Sequence, residues 1–537
     1  MNSLTTPGPV IVLPGLPTTI DADAVISQMC RRASSPGFGS WWRRVESVGY
    51  CAHPIQLVGA DTAGRQHAVW TRCNNRRATV CPSCADLYAR DTWQLVHAGA
   101  AGGHHDVPAE VADRPQVFAT LTAPGYGAVH NATGTTCHAR TPRVTTQHCR
   151  HGNPLHCNTS HAVDDPVVGQ PLCADCYDYL GHVLFTWHLP ELWRRLTIAL
   201  RRAITAHLKA IGFSTDSVRV SFVKVVELQV RAIPHIHALI RLDPPGDRPT
   251  ASGDHISDGP AAPRGGGEPR SRVGQDAGWS SPITATELTA LIHQAADRVR
   301  IEIPAGGDDP RRDGARTLRF GTQIDIQALA SETGTAANDP TVPGTVTGAS
   351  SRLSPRRVAA YLAKYVTKSL HDFGITARRL SAEAITGLDV SEHVRAILAT
   401  IAELAEHGSG AVAGIGRWLH TLGYRGHITT KSRHFSTTLG ALRTARATWT
   451  RQQVTKDATQ RNGTSNGGAV TGPDQRPYAA LDSDEVFWEF DYAGHASAGD
   501  RVLVVSAALR HIAARIAGIT ESRCTTGIIP PMLPGAG

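Results

Sequence analysis

The chain has 537 residues, with 54 Lys plus Arg against 46 Asp plus Glu, 26 His and 11 Cys; that length suits roughly two to four domains with substantial cores and excludes a short peptide or disulfide miniprotein. The formal charge of +8 is modest for such a length and permits a nucleic-acid partner without demanding one. No run reaches the roughly 18 to 20 uninterrupted apolar residues of a bilayer span, and the opening MNSLTTPGPV lacks the basic-then-apolar order of a secretion signal. A cytoplasmic protein with no membrane partner is therefore expected, and in a reducing compartment paired cysteines point to zinc before disulfides. Only 6 of the 54 cations are lysine, so each lysine position is informative.

Residues 1–115 read as a Cys-rich zinc-binding region. Cys81-Pro-Ser-Cys84 is preceded by Cys73 and Cys51, and four thiolates close a tetrahedral structural site; His53 is an alternative to Cys51. A strand is expected at 116–122 (QVFATLT), opening a core that extends to residue 375. Inside it, an insertion at about 137–180 carries a second cluster, Cys173-Ala-Asp-Cys176 with Cys157, Cys149 and Cys137 before it and His148, His151, His156 and His161 interspersed. This is more than one zinc can use, and Cys149, Cys157, Cys173 and Cys176 are the expected set. A helix follows at 189–211, then short β-branched strands at 218–228 and 235–242.

Residues 243–282 are rich in Gly, Pro and Ser and read as a disordered insertion; 330–352 and 455–476 look similar, the last as a flexible linker. Between them lie a helix at 285–302, a strand at 320–328 and a helix at 355–371. A mostly helical C-terminal accessory and DNA-binding region, 376–537, has helices at 391–406 and 500–517. Irregular alternation of strands and helices favours an α+β fold.

In PHIHALIRL, the period of two along a strand aims His235 and His237 at one face. Glu227 lies eight residues before His235, and a hairpin through LQVRAIP would bring its carboxylate alongside, with Gln229 as an alternative. Two imidazoles and a carboxylate leave open positions on a divalent ion, and such ligands accept zinc. A His-x-His-x-Asp-His zinc hydrolase would need Asp and His where Leu239 and Ile240 stand.

In SPRRVAAYLAKYVTKSLHDFG, Ser354 can cap, Pro355 suits the first helical position and Gly374 can stop the chain. Tyr361, Lys364, Tyr365 and Lys368 follow i, i+3, i+4, i+7 spacing, beside a separate apolar stripe of Val358, Leu362, Val366 and Leu370. Two of six lysines on that face favour an exposed, reactive surface over a core border. A phenol with a pKa near about 10 is a poor nucleophile at neutral pH; ammonium groups and a metal-polarised phosphate supply what it needs to attack phosphorus.

The His-hydrophobe-His strand followed by Tyr-x-x-x-Tyr with interleaved Lys resembles the HUH superfamily of single-strand endonucleases. More narrowly, the chain resembles the rolling-circle replication initiators of actinobacterial plasmids and integrative elements. CNNRRATVCPSCADLYARD, FATLTAPGYGAVH, PLCADCYDYLGHV, FGTQIDIQAL and GHITTKSRHFSTTLGALR share in it, over roughly residues 30–520. The resemblance implies an antiparallel sheet carrying Glu227, His235 and His237, flanked by the tyrosine helix. It implies a Mg²⁺- or Mn²⁺-dependent, site-specific nickase and strand transferase that leaves a 5′-phosphotyrosine and a 3′-OH for a host polymerase, working with a host helicase. Relatives with one tyrosine keep the one matching Tyr365; those with two alternate between them.

In GYRGHITTKSRHFSTTLGALRTARATW, Lys431 and Arg433 with His434 and Phe435 suit phosphate contact and base stacking on single-stranded and duplex origin DNA. The competing function is a zinc-containing DNA-binding regulator with a non-catalytic HUH core. A conjugative relaxase or transposase is disfavoured, since no G-x-x-x-x-G-K-[ST] phosphate loop is present.

Overall fold

The structure, a computed structural model, describes residues 21–62, 64–132, 134–139, 148–245, 278–304, 314–329, 353–367, 373–375, 379–407, 410–462 and 486–525. In chain order its elements begin with α1 (Ala22–Ala33), α2 (Phe38–Ser47), β1 (Ile55–Asp61), β2 (Gln66–Thr71), α3 (Pro82–Ala101), β3 (Gln116–Leu121), α4 (Tyr179–Ala210), β4 (Arg219–Leu228) and β5 (Pro234–Asp243). There follow α5 (Ala285–Arg298), β6 (Arg300–Ile303), β7 (Arg316–Arg319), β8 (Ile324–Ala328), α6 (Pro355–Tyr365), α7 (Glu392–His407), β9 (Thr429–Lys431), α8 (Leu439–Asn462), β10 (Val486–Ala493) and α9 (Ala498–Thr525). This is a mixed α+β architecture with antiparallel sheets.

The described residues divide into two units: one draws on 1–93, 366–371 and 438–536, the other on 94–365 and 372–437. The sequence reading has three consecutive regions, 1–115, 116–375 and 376–537; the two units interleave along the chain. Long-range strand pairing is the reason. β10, from the C-terminal region, pairs with β1 in a β10-β1-β2 sheet, while β9 joins the edge of the larger sheet beside β4. In the first unit Arg32 of α1 grips Asp500 of α9 through two hydrogen bonds of 2.8 and 2.7 Å. Phe38, Trp41, Trp42 and Tyr50 form a packed aromatic corner. The stretch Ala498–Ile519 is long and apolar enough by length and composition to cross a bilayer; this alone does not make it a membrane span, since core helices pass the same test.

The second unit is built on an antiparallel sheet of order β8-β3-β5-β4-β9. β5 is buried along its whole length, as a central strand must be, and its alternation sorts the faces. Ile236, Ala238, Ile240 and Leu242 share one face with Phe222 and Lys224 of β4. There Trp193 of α4 meets the Phe222 ring at 5.1 Å and the Lys224 ammonium at 5.6 Å. The opposite face carries His235, His237, Leu239, Arg241 and Asp243, and it is this face that meets α6.

Several elements depart from expectation. α4 starts at Tyr179 rather than 189, because Asp178 caps it by accepting from the Gly181 amide at 2.9 Å and Pro190 sits in its interior. Arg425 donates to the Trp187 carbonyl beside that proline at 3.2 Å. The expected 285–302 helix stops at Arg298 and its end becomes β6; the 320–328 strand begins only at Ile324. α8 runs to Asn462, into the stretch read as a linker. The rest of that linker, 330–352 and most of 243–282 lie outside the described residues.

Candidate active site

The β4–β5 register places Glu227 opposite His235 and Val225 opposite His237, and the β3–β5 register places Thr120 opposite His237 on its other side. Glu227 Oε2 lies 3.0 Å from His237 Nε2, and Thr120 Oγ1 3.1 Å from His237 Nδ1. His235 Nε2 is buried with no hydrogen-bond partner among the described residues. Burial, with Arg231 and His237 nearby, pushes the His235 imidazolium down to about 3, so the ring is neutral at pH 7 with a lone pair to offer. The side-chain oxygen of Gln229 accepts from Arg231 Nε at 3.2 Å within the hairpin turn.

Glu227 and His237, but not His235 in this arrangement, have the spacing of two ligands on one divalent cation. An orphaned buried imidazole nitrogen is costly unless something binds it, and ligands at about 2.1 Å and right angles sit roughly 3 Å apart, as the Glu227 and His237 donor atoms do. His235 stands farther off: the trio is not among the clusters of described residues whose ligand atoms all lie within 4.8 Å of one another.

α6 brings both tyrosines to this face. Ser354 Oγ accepts from the Arg357 amide at 3.3 Å, with Pro355 in the first turn. The Tyr361 ring meets His237 edge-on at 5.1 Å and Phe118 at 5.6 Å; Tyr365 stacks on His237 at 5.6 Å, and the two tyrosines are 4.6 Å apart. The tyrosine face is packed rather than exposed: Tyr365 is 6% accessible. At 100° per residue Tyr361 lies only about 60° round from Val358, so the arc that buries Val358 and Leu362 reaches the two tyrosines and leaves Lys364 outside it. Burial, its hydrogen bond with Tyr365 and the carboxylates of Glu227 and Asp325 hold Tyr361 well above the usual phenol range. Lys364 is exposed, its ammonium 5.5 Å from the Tyr365 ring; Lys368 lies outside the described residues.

Three neighbours escaped the sequence reading: Phe118, Thr120 and Asp325. Phe118 and Thr120 share the two-residue spacing of His235 and His237, the one signal that could have found them. Pairing of Asp325 with Thr120 has no local signature.

The expected DNA-contact residues separate. Arg433 and His434 are exposed, while Lys431 donates to the carbonyls of Ser432, Arg433 and Ser436 at 3.0 to 3.3 Å and so closes its own turn. Phe435 is a correction. It is fully buried, its ring 5.0 Å from the Arg241 guanidinium and against Gly99, and offers no face for a base.

The thiols of Cys51, Cys73, Cys81 and Cys84 lie within 4.8 Å of one another, with the Ala52 and Cys73 amides donating to Cys81 and Cys51 sulfurs at 3.3 Å. His53 is not in this group. The second expected set changes: Cys149, Cys173 and Cys176 gather with His151, whereas Cys157 stands with His130, Cys137 and His161. The bridge between His138 and Cys157 holds Cys157 beside Cys137. All three clusters could hold a structural metal ion.

Among known proteins, the profile of the family described as replication initiator protein, pSAM2, matches residues 37–509. A curated replication initiator protein of Streptomyces ambofaciens is 34% identical over 525 residues, spanning 92% of this chain and 95% of the relative. No solved structure matches.

Proposed function

The chain belongs to the pSAM2 replication initiator family, and from that premise we propose that it starts and ends rolling-circle replication by nicking single-stranded origin DNA through a tyrosine, as an HUH-type endonuclease in the cytoplasm. The observation that carries this reading is the packing of both tyrosine rings on His237, beside Glu227 and the unpartnered His235 nitrogen. Glu227, His235 and His237 would hold a Mg²⁺ or Mn²⁺ ion, which when bound polarises the scissile phosphate.

Tyr365 is the first nucleophile. Its oxygen bonds to phosphorus, the bond to the 3′ oxygen breaks, the phenolic proton leaves and the departing oxygen takes one up, so one phosphodiester replaces another. Tyr361, held protonated by burial and by Tyr365, is suited to the second transfer, when the first phenol is already esterified. Lys364 and Lys368 supply positive charge to the phosphate oxygens. Arg433 and His434 contact the flanking origin DNA, and the 3′-OH is handed to a host polymerase working with a helicase.

Incubation with single-stranded origin oligonucleotides, followed by denaturing gels and mass spectrometry of the adduct, tests the reading. Wild type and Tyr361→Phe should form a covalent adduct, Tyr365→Phe should not. Normal nicking by the double variant would remove both tyrosines from the chemistry. A wild type that binds origin DNA and never forms an adduct would favour a non-catalytic regulator.

A further inference from the structure

Between Asn131 and Leu172 the described residues bury very little apolar surface of their own. Among the described residues of that stretch, Cys137 is the one buried hydrophobic side chain, while Leu155 and Val163 are 44% and 69% exposed. Strand-like pairing among the described residues there consists of single bridges, His138 with Cys157, His148 with Pro154 and Val129 with Pro171. A segment whose described residues bury so little apolar surface needs another source of order, and metal ligation is the usual one.

We propose that this insertion is a cross-braced module holding two structural zinc ions, one on His130, Cys137, Cys157 and His161 and the other on Cys149, His151, Cys173 and Cys176. In chain order the ligand pairs alternate: His130 and Cys137 serve the first ion, Cys149 and His151 the second, Cys157 and His161 the first again, Cys173 and Cys176 the second. Each ion therefore ties down the loop that carries half of the other's ligands.

The surroundings of the ligands support the assignment. His161 Nδ1 is 2.8 Å from Asp165 Oδ2, which fixes the tautomer and turns Nε2 toward Cys157 Sγ and His130 Nδ1, both at 3.3 Å; carboxylate partners of this kind orient metal-bound histidines. His151 Nδ1 faces the Cys176 and Cys173 sulfurs at 3.2 and 3.7 Å. The Asn131 amide donates to Cys137 Sγ at 3.3 Å and Asn153 Nδ2 to Cys173 Sγ at 3.0 Å, as suits sulfurs carrying thiolate charge. The module also abuts the hairpin between Glu227 and His235: a Cβ on Gly169, at φ +87°, would meet the Val230 carbonyl at 2.8 Å. Its metals thus stiffen the turn that sets the His-x-His strand.

The test is zinc content and X-ray absorption on the full-length chain after dialysis against excess magnesium. With the Cys51 cluster included, three zinc ions per chain are expected, with nine sulfur and three nitrogen ligands among them. His130→Ala and His161→Ala should each lose at least one zinc. His161→Cys should keep three and raise the sulfur share, which separates ligand loss from misfolding. Two zinc ions in all-sulfur surroundings, or full zinc content in both alanine variants, would overturn the proposal.

Discussion

His237 is the residue on which the site turns, and Thr120 decides how it is presented. With Nε2 against Glu227 and Nδ1 against the Thr120 hydroxyl, the ring has a partner at each nitrogen. A hydroxyl can donate or accept, so it can follow the tautomer when Nε2 is given to a cation. Loss of such an outer partner typically costs about 10- to 100-fold in metal affinity or activity. Thr120→Val should raise the Mg²⁺ or Mn²⁺ concentration for half-maximal nicking by about that factor and Thr120→Ser should not, as a divalent-ion titration of nicking would show. His237→Ala should abolish nicking with duplex binding retained; joint loss of both would mean misfolding. Residue rarity was a weaker guide than geometry. Of the six lysines, Lys224 is buried against Trp193 on the far face of the sheet, its ammonium pushed down to about 8 by burial.

At the scale of elements, the β4–β5 hairpin is clasped at its turn by two buried histidines: His182 Nε2 meets the Ala232 carbonyl at 3.2 Å and His393 Nε2 the Arg231 carbonyl at 3.1 Å. Burial, then His393, pushes His182 down to about 3, and burial lowers His188 to about 4, as it does His235 to about 3. An unfolded histidine near pKa 6.5 binds protons that these folded ones refuse, so the stability they confer is complete above about pH 6.5 and falls as pH drops toward 3 to 4. By pH 5 the loss approaches about 2 kcal/mol for each such group. Urea denaturation at pH 7 and 5 should show a lower midpoint at pH 5, with a smaller fall in His182→Gln. Strands β3, β4 and β5 were legible because each is a short apolar run between turn residues, and the two-residue period put His235 and His237 together. β10 was not, since its partner β1 lies at the other end of the chain. The start of α4 was hidden by Pro190, which reads locally as a first turn. The separation of Cys157 from Cys149 depends on how loops cross, which spacing does not encode.

For the molecule as a whole, a net charge of +8 over 537 residues is too dilute to hold DNA by itself, so binding must come from local contacts whose counterion release can be counted. Sequence alone grouped Lys431, Arg433, His434 and Phe435 as one contact, yet they serve different ends. Lys431 secures a turn, Phe435 fills the core beneath Arg241, and Arg433 and His434 remain on the surface. Arg433→Ala should therefore weaken duplex and single-stranded binding about equally across sequences and lower the slope of log affinity against log salt by about 1, the signature of one lost phosphate contact. Phe435→Ala should instead destabilise the fold by about 3 to 5 kcal/mol, visible as an earlier denaturation midpoint, with the salt slope of the remaining folded protein unchanged. Titrations at several salt concentrations with an origin oligonucleotide and a scrambled one separate the two outcomes; an unaltered slope in Arg433→Ala would move the phosphate contacts to another surface.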